Sequence, residues 1–346
     1  MAVKELLQKG ILGETFTRAE ASQMMNEILE GKVTEVQLSS LLTILRLRGE
    51  TIEEIVGFST SILDHTVPLH LDYPQILDTC GTGGDGASTF NISTASSLLL
   101  SSAGVKVAKH GNSAVTSKSG SADVLQQLGI ATSSNAADIV ENLEKFSLCF
   151  LFAPNYHPAL RHASHTRKGL SFRTVFNILG PLCNPAHPTH QLIGAYNNET
   201  AKKMAHAIAE FKHQRTLVVT GADGLDECSI FAPTHFYEVE NGNVSEFILT
   251  PEDAGLPYGQ PKEVTVGSSE ESAQLIRAVL RGQANASAEN IVIYNTAASF
   301  YLTDRVSTIR EGVKLARGII ENGSAIRHLE MIQNHTGGVP YAATNS

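Results

Sequence analysis

Asp78-Thr79-Cys80-Gly81-Thr82-Gly83-Gly84-Asp85-Gly86-Ala87-Ser88-Thr89-Phe90-Asn91-Ile92-Ser93-Thr94 is the stretch on which the reading of this chain turns. It follows an expected strand at Ile76-Leu77 and leads into an expected helix through Ala95 to Ala103. Glycines let the backbone approach a ligand closely, and a helix N-terminus offers unpaired N–H groups to an anion. A phosphate cradle is the physical expectation. Gly81, Gly83 and Gly86 satisfy GxGxxG, but the ribose-binding acid of a dinucleotide fold is missing about 20 residues on, where Lys106 stands. No lysine follows these glycines in the P-loop manner either. A plain glycine-rich turn is the bland reading, and two further segments weigh against it.

The first is Lys109-His110-Gly111-Asn112-Ser113-Ala114-Val115-Thr116-Ser117-Lys118-Ser119-Gly120-Ser121-Ala122-Asp123, after a short β-prone run at Val105-Lys106-Val107. Two lysines, a histidine and many small hydroxyls make a poor core and a good anion-lined loop. The second is Asp223-Gly224-Leu225-Asp226-Glu227, after an expected strand from Thr216 to Thr220. Acids at a strand's carboxyl end are usually solvated charges. Opposite a phosphate cradle they suit magnesium, which joins one or two carboxylates to substrate phosphates.

Outward from these segments, short β-prone runs such as Leu148-Cys149-Phe150-Leu151-Phe152 and Leu217-Val218-Val219 alternate with helical ones. That alternation predicts an α/β domain with a mostly parallel central sheet, over residues 76–154 and 186–346. The first 66 residues read differently. Thr17 with Glu20, Thr34 with Gln37 and Thr51 with Glu54 form three capping boxes, each before an amphipathic run. Leu38, Leu41, Leu42 and Leu45 then follow helical spacing, and Gly49 is placed to end that helix. A small helical domain over 1–66 is expected, joined by a helical segment around 155–185. Residues 67–75, with Pro68 and Pro74, read as the linker and hinge.

Composition bounds the rest. The 346 residues suggest about two domains at roughly 150 each. Lys and Arg total 26 against 35 Asp and Glu, a net charge of −9, which argues against nucleic-acid or anionic-membrane partners. Cys80, Cys149, Cys183 and Cys228 have neither zinc nor disulfide-framework spacing, so a reducing cytoplasm is the expected home. The N-terminus lacks an apolar signal core, and no run of about 18 apolar residues occurs.

The chain resembles the anthranilate phosphoribosyltransferase family in several separated motifs taken in order. These are GTGGDG…NIST at 81–94, KHGN…SGSADVL at 109–125, the piece Phe172-Arg173-Thr174-Val175-Phe176-Asn177-Ile178-Leu179-Gly180-Pro181-Leu182-Cys183-Asn184-Pro185, the pair Asp226-Glu227, and Leu45-Arg46-Leu47-Arg48-Gly49-Glu50. The resemblance implies a nucleoside-phosphorylase-like fold and a homodimer built on the helical domain. It implies transfer of the phosphoribosyl group from phosphoribosyl pyrophosphate to the amine of anthranilate, within tryptophan biosynthesis. By the same resemblance Gly81, Gly84, Asp85, Thr89, Asn91, Ile92, Ser93 and Thr94 hold the donor, together with Lys109, His110, Gly111, Asn112, Ser113, Ala114, Val115, Thr116, Ser117 and Ser121. Ser93, Asp226 and Glu227 would bind Mg2+, and Gly81, Asn112 and Arg167 would touch anthranilate. His110 is a candidate late proton acceptor, and no covalent nucleophile is expected. The family usually has arginine after His-Gly-Asn, where this chain has Ser113. Two other readings compete, one a same-fold rival and one from another class. A pyrimidine nucleoside phosphorylase would use free phosphate, and the acidic pair and His-Gly-Asn speak against it. A non-catalytic nucleic-acid binder conflicts with the net charge and the intact motifs.

Overall fold

Three threonine caps set the first helices. In the computed structural model, which describes residues 3–113, 119–211 and 215–336, Thr17, Thr34 and Thr51 each close a reciprocal capping box. They start α2 (Arg18–Leu29), α3 (Glu35–Arg48) and α4 (Ile52–Asp64), after α1 (Val3–Ile11). Gly49 ends α3 at φ +83°, a conformation that L side chains rarely adopt. Leu38, Leu41, Leu42 and Leu45 face inward, against Met24, Met25, Ile28, Ile55 and Phe58.

Glu54, the last member of the third capping box, ties this bundle together. It is fully buried and accepts from the Thr51 N–H (2.9 Å), the Phe16 N–H (2.8 Å) and Arg48 Nη2 (2.6 Å). One carboxylate thereby joins the α1–α2 turn, the end of α3 and the start of α4.

From residue 77 the chain alternates. β1 (Leu77–Gly81), α5 (Ile92–Ser102), β2 (Val107–Gly111), α6 (Ser121–Gln127), α7 (Ala136–Phe146) and β3 (Leu148–Phe152) come first. A helical excursion follows, of α8 (Ala153–Tyr156), α9 (Arg161–Leu170) and α10 (Val175–Leu182). The sheet resumes with β4 (His190–Gly194), α11 (Asn198–Glu210) and β5 (Arg215–Gly221), and an antiparallel hairpin of β6 (Thr234–Glu240) and β7 (Asn243–Leu249) completes it. The last helices are α12 (Ser269–Leu280), α13 (Ala286–Leu302), α14 (Ile309–Glu321) and α15 (Ser324–Thr336).

The seven strands lie in the order β3-β2-β1-β4-β5-β6-β7, the first five parallel. Alternate residues feed opposite layers, as a pleated strand requires. Leu192, Leu217 and Val219 join α5 and α12–α15, whereas Ile193 and Val218 join α11 and the bundle. Ala163 of α9 and Val175, Phe176, Ile178, Leu179 and Leu182 of α10 pack into the bundle's apolar cluster, so the excursion is continuous with the N-terminal helices. No helix among the described residues is long and apolar enough to cross a membrane.

Two details differ from the sequence reading. Asp78–Gly81 and Lys109–Gly111 are the carboxyl ends of strands β1 and β2 and not loop, because Asp78, Thr79 and Lys109 find buried partners there. The β6–β7 hairpin makes the sheet mixed at one edge, where the alternation of strands with helices gave no sign of it.

Removing one partner of a buried pair strands the other charge, so Glu54→Ala is expected to cost roughly 3–5 kcal/mol of stability. Urea unfolding followed by far-ultraviolet circular dichroism measures it. A loss below about 1 kcal/mol would mean that Arg48 is satisfied without Glu54.

Candidate active site

Strand order reverses between β1 and β4, and open α/β sheets bind ligands outside the strand carboxyl ends at such a point. A cleft of about 410 Å³ lies there. Its floor is made by strand ends and the glycine-rich loop, and α9, α10 and the end of α4 supply the facing wall.

Glycine at two neighbouring strand ends lets the acidic loop descend onto the sheet. Gly81 pairs with Gly194, and a Cβ on Gly81 would meet Asp226 Oδ2 at 2.6 Å. A Cβ on Gly194 would overlap the Asp226 carbonyl outright. Asp226 in turn accepts from the Gly83 N–H at 2.7 Å, so the glycine-rich loop and the acidic loop hold each other. Asp223 does not join them. It caps its own turn, accepting from Ser229 Oγ at 2.8 Å and from the Leu225 N–H.

The far end of the glycine-rich loop is pinned by pairing of Ser88–Phe90 with Val264–Val266. Asn91 heads α5 and spends its side-chain oxygen on Ser119 Oγ (2.8 Å) and Ser272 Oγ (2.9 Å), joining the two phosphate-type loops. Lys109 is almost fully buried on β2 and donates to the Thr79 carbonyl (2.5 Å) and to Ser93 Oγ (3.1 Å). Its charge sits between Asp78 and Glu227, and burial pulls its pKa down against the pull of both acids.

The carboxylates are crowded. Burial, and then the negative charge of Asp85, push Asp226 up to about 7. Burial and Asp226 push Glu227 up as well, against the Lys109 ammonium and the Ser93 N–H. Asp85 Oδ2 is buried with no hydrogen-bond partner. Acids that repel one another around an unsatisfied oxygen, beside a serine hydroxyl, suit a divalent cation. Among the described residues no three His, Cys, Asp or Glu side chains form a cage by themselves. Magnesium does not need one, since it takes one or two carboxylates and completes its shell with phosphate and water oxygens.

Of the residues singled out from sequence, the cleft is lined by Gly81, Gly84, Asp85, Thr89, Asn91, Ile92, Ser93, Lys109, His110, Gly111, Asn112, Ser113, Ser121, Arg167, Asp226 and Glu227. Thr94 is the exception. It is buried one helical step further and faces a separate small cavity with Ser97 and Leu98, its N–H bonded back to Asn91. Ala114, Val115, Thr116, Ser117 and the neighbouring Lys118 lie outside the described residues. At Ser113 the N–H bonds Asn112 Oδ1 at 2.8 Å.

Arg167 crosses from α9 and stacks on Phe176, its guanidinium 4.8 Å from the ring centre. Burial lowers its pKa, and among the described residues no carboxylate pairs with it. A desolvated cation without a counter-charge, beside an apolar end made by Ile62, Leu160, Phe172, Phe176 and Leu179, is matched to an aromatic carboxylate. Most of that apolar wall escaped the sequence reading as site residues. The signal was the run Phe172–Asn177, aromatic and apolar residues close to Arg167 in the excursion between strands.

His110 and His157 meet edge to face at 5.2 Å, both buried. Burial brings His110 from the usual 6.5 down to about 3 and His157 down to about 4. Both therefore stay neutral, and His110 is a weak base. Such rings stabilise the fold fully above about pH 6.5, and the contribution is lost as pH falls toward their folded values. Between pH 7 and pH 5 each ring is expected to cost roughly 1–2 kcal/mol of stability. His157→Asn should flatten that slope in urea titrations, and an unchanged slope would mean His157 already protonates in the folded protein.

Residues 4–66 match the family described as "Glycosyl transferase family, helical bundle domain", and residues 73–326 match "Glycosyl transferase family, a/b domain". The anthranilate phosphoribosyltransferase of Shouchella clausii is 45% identical over 98% of this chain and 100% of its own length. The solved anthranilate phosphoribosyltransferase of Thermus thermophilus is 36% identical, superposes with a TM-score of 0.88, and is matched over 96% of this chain and 99% of that one. The enzyme from Saccharomyces cerevisiae, solved in complex with PRPP and Mg, is 29% identical with a TM-score of 0.89, over 97% and 98% of the two chains. With both domain types present and relatives of this identity matched end to end, the chain belongs to the anthranilate phosphoribosyltransferase family.

Proposed function

We propose that this protein transfers the phosphoribosyl group of phosphoribosyl pyrophosphate to the amine of anthranilate and releases pyrophosphate, a step of tryptophan biosynthesis. One observation carries the reading. A glycine cradle with crowded acids and an unpaired arginine beside an aromatic wall face each other across a single cleft, which suits a polyphosphate at one end and an aromatic acid at the other.

The donor already carries a good leaving group, so no covalent nucleophile is required. The barrier lies in charge separation as the bond to pyrophosphate stretches and the ribose gains cationic character. Ser93, Asp226 and Glu227 would hold magnesium, which when bound neutralises charge on the departing diphosphate. Gly84 and the start of α5 border the same charge with backbone dipoles fixed before reaction, and Lys109 holds Ser93 in place. Gly81, Thr89, Asn91, Gly111, Asn112 and Ser121 complete the donor's surroundings. Arg167 would pair with the acceptor carboxylate while Phe176 supports the ring, and Asn112 borders both substrates. An aromatic amine is nucleophilic when neutral, so orientation matters more than base catalysis. His110 lines the wall, and burial leaves its ring a weak base with at most a small part as late proton acceptor.

Loss of anthranilate fluorescence should require both the donor and magnesium. Asp226→Asn and Glu227→Gln are each expected to lower kcat/KM by about a hundredfold or more. Donor binding without fluorescence loss would point to a different acceptor. Phosphorolysis of a pyrimidine nucleoside would point to the same-fold phosphorylases.

The helical domain also supports self-association. Ile11 and Leu12 at the end of α1 and Val36 and Leu47 on α3 are exposed, Leu47 by 83%, and large apolar side chains of this kind suit an interface. We assign the dimer to this face, and residues 67–75 to a hinge that closes the bundle over the cleft in a cytoplasmic enzyme. Small-angle scattering tests both assignments. A particle of twice the chain mass that contracts with both substrates is expected, and a monomer or an unchanged radius of gyration would reject one or the other.

A further inference from the structure

From Lys145 through Asn198 the chain holds no aspartate or glutamate, although the protein as a whole has a net charge of −9. This span carries Lys145, Arg161, Arg167, Lys168 and Arg173, and its helices form the cleft wall facing the acids. Arg167 has a place in the reading above. Arg173 has none, and its surroundings are specific.

Arg173 lies between α9 and α10. Its neighbours Phe172 and Thr174 both line the cleft. Its guanidinium stacks on Tyr196, just past the end of β4, 4.3 Å from the ring centre. Its Nε lies 2.8 Å from the point that a Cβ on Gly84 would occupy, so the side chain rests against the glycine-rich loop where that loop has φ +72°. Among the described residues no ion pair involves it. Stacking uses the flat face of a guanidinium and leaves its edge N–H groups unspent, and that edge is the part that matches phosphate oxygens.

We propose that Arg173 is a donor-binding residue, which engages the diphosphate of phosphoribosyl pyrophosphate from the edge of the glycine-rich loop at Gly84. The proposal rests on the donor reading given above. Tyr196 holds the guanidinium at the loop's edge, and Gly84 leaves the room for it. The diphosphate is then met both by the cation that Asp226 and Glu227 would hold and by an arginine at the rim of the same loop. Arg167 at the apolar end remains free for the acceptor.

Calorimetric titration of the full-length protein with pyrophosphate in the presence of magnesium tests this directly. Arg173→Ala is expected to weaken pyrophosphate binding about tenfold or more and to raise the donor KM in parallel, with the anthranilate KM within about twofold of the parent. Arg173→Lys should recover only part, since an ammonium lacks the fork. Tyr196→Leu keeps the charge and removes its platform, so an intermediate loss is expected there. It carries the test with Arg173→Lys if the alanine variant fails to fold. Unchanged pyrophosphate affinity in the folded Arg173 variants would overturn the proposal. So would a fall in kcat with donor KM and pyrophosphate affinity intact, the signature of a residue that only props the loop. A parent protein that binds neither pyrophosphate nor donor would sink the donor reading and this inference with it.

Discussion

The approach of the Asp226 backbone to the ends of β1 and β4 is the contact on which the rest of the site depends. Two strands lie in register there with glycine opposite glycine, and no side chain stands between the sheet and the loop. Through that gap the loop brings two carboxylates to the glycine cradle, and the Gly83 N–H fastens cradle to loop. Everything nearby answers to the charge so concentrated. Lys109 is buried on β2 as its counterweight, and Ser93 is held by Lys109. Asp78 lies fully buried beneath them and accepts from Asn184 Nδ2 at 2.8 Å, which anchors the end of the helical excursion to the same sheet. A methyl group at residue 194 would disturb the whole set at once.

Much of this was legible in the chain. The capping threonines state where helices begin because the cap is a local interaction between residues three apart, and all three close as read. The glycine-rich turn is legible for the same reason. What sequence did not reveal is set by distant contacts. Lys109 and His110 have the composition of a loop but sit on a strand, because Thr79, Ser93 and Asp78 supply partners from elsewhere in the fold. Thr94 follows Ser93 in the motif, yet a helix turns each successive residue by about 100 degrees, and that single step carries Thr94 away from the cleft. The apolar wall at Phe172 and Phe176 looks like ordinary core until the excursion is folded back over the sheet.

Apart from Lys109 on β2, charge is divided across the cleft. The sheet side supplies the acids and the backbone dipoles, and the excursion supplies arginines and no acid at all. A ligand whose charge is negative at both ends is thereby oriented by field as well as by fit, since only the phosphate end combines a place for a bound cation with a guanidinium. The buried histidine pair sits between these regions and stays neutral, so it contributes shape without changing the balance.

The excursion α8–α10 leaves the sheet after β3, completes the core of the N-terminal bundle, and returns at β4. The excursion wall of the cleft therefore shares one apolar cluster with the bundle and with Ile193 and Val218 of the sheet. Loosening of the bundle would disturb the aromatic wall, Arg167 and Arg173 together. Substitutions on the excursion therefore bear on both substrates, because the segment that carries Arg167 toward the acceptor also carries Arg173 toward the donor.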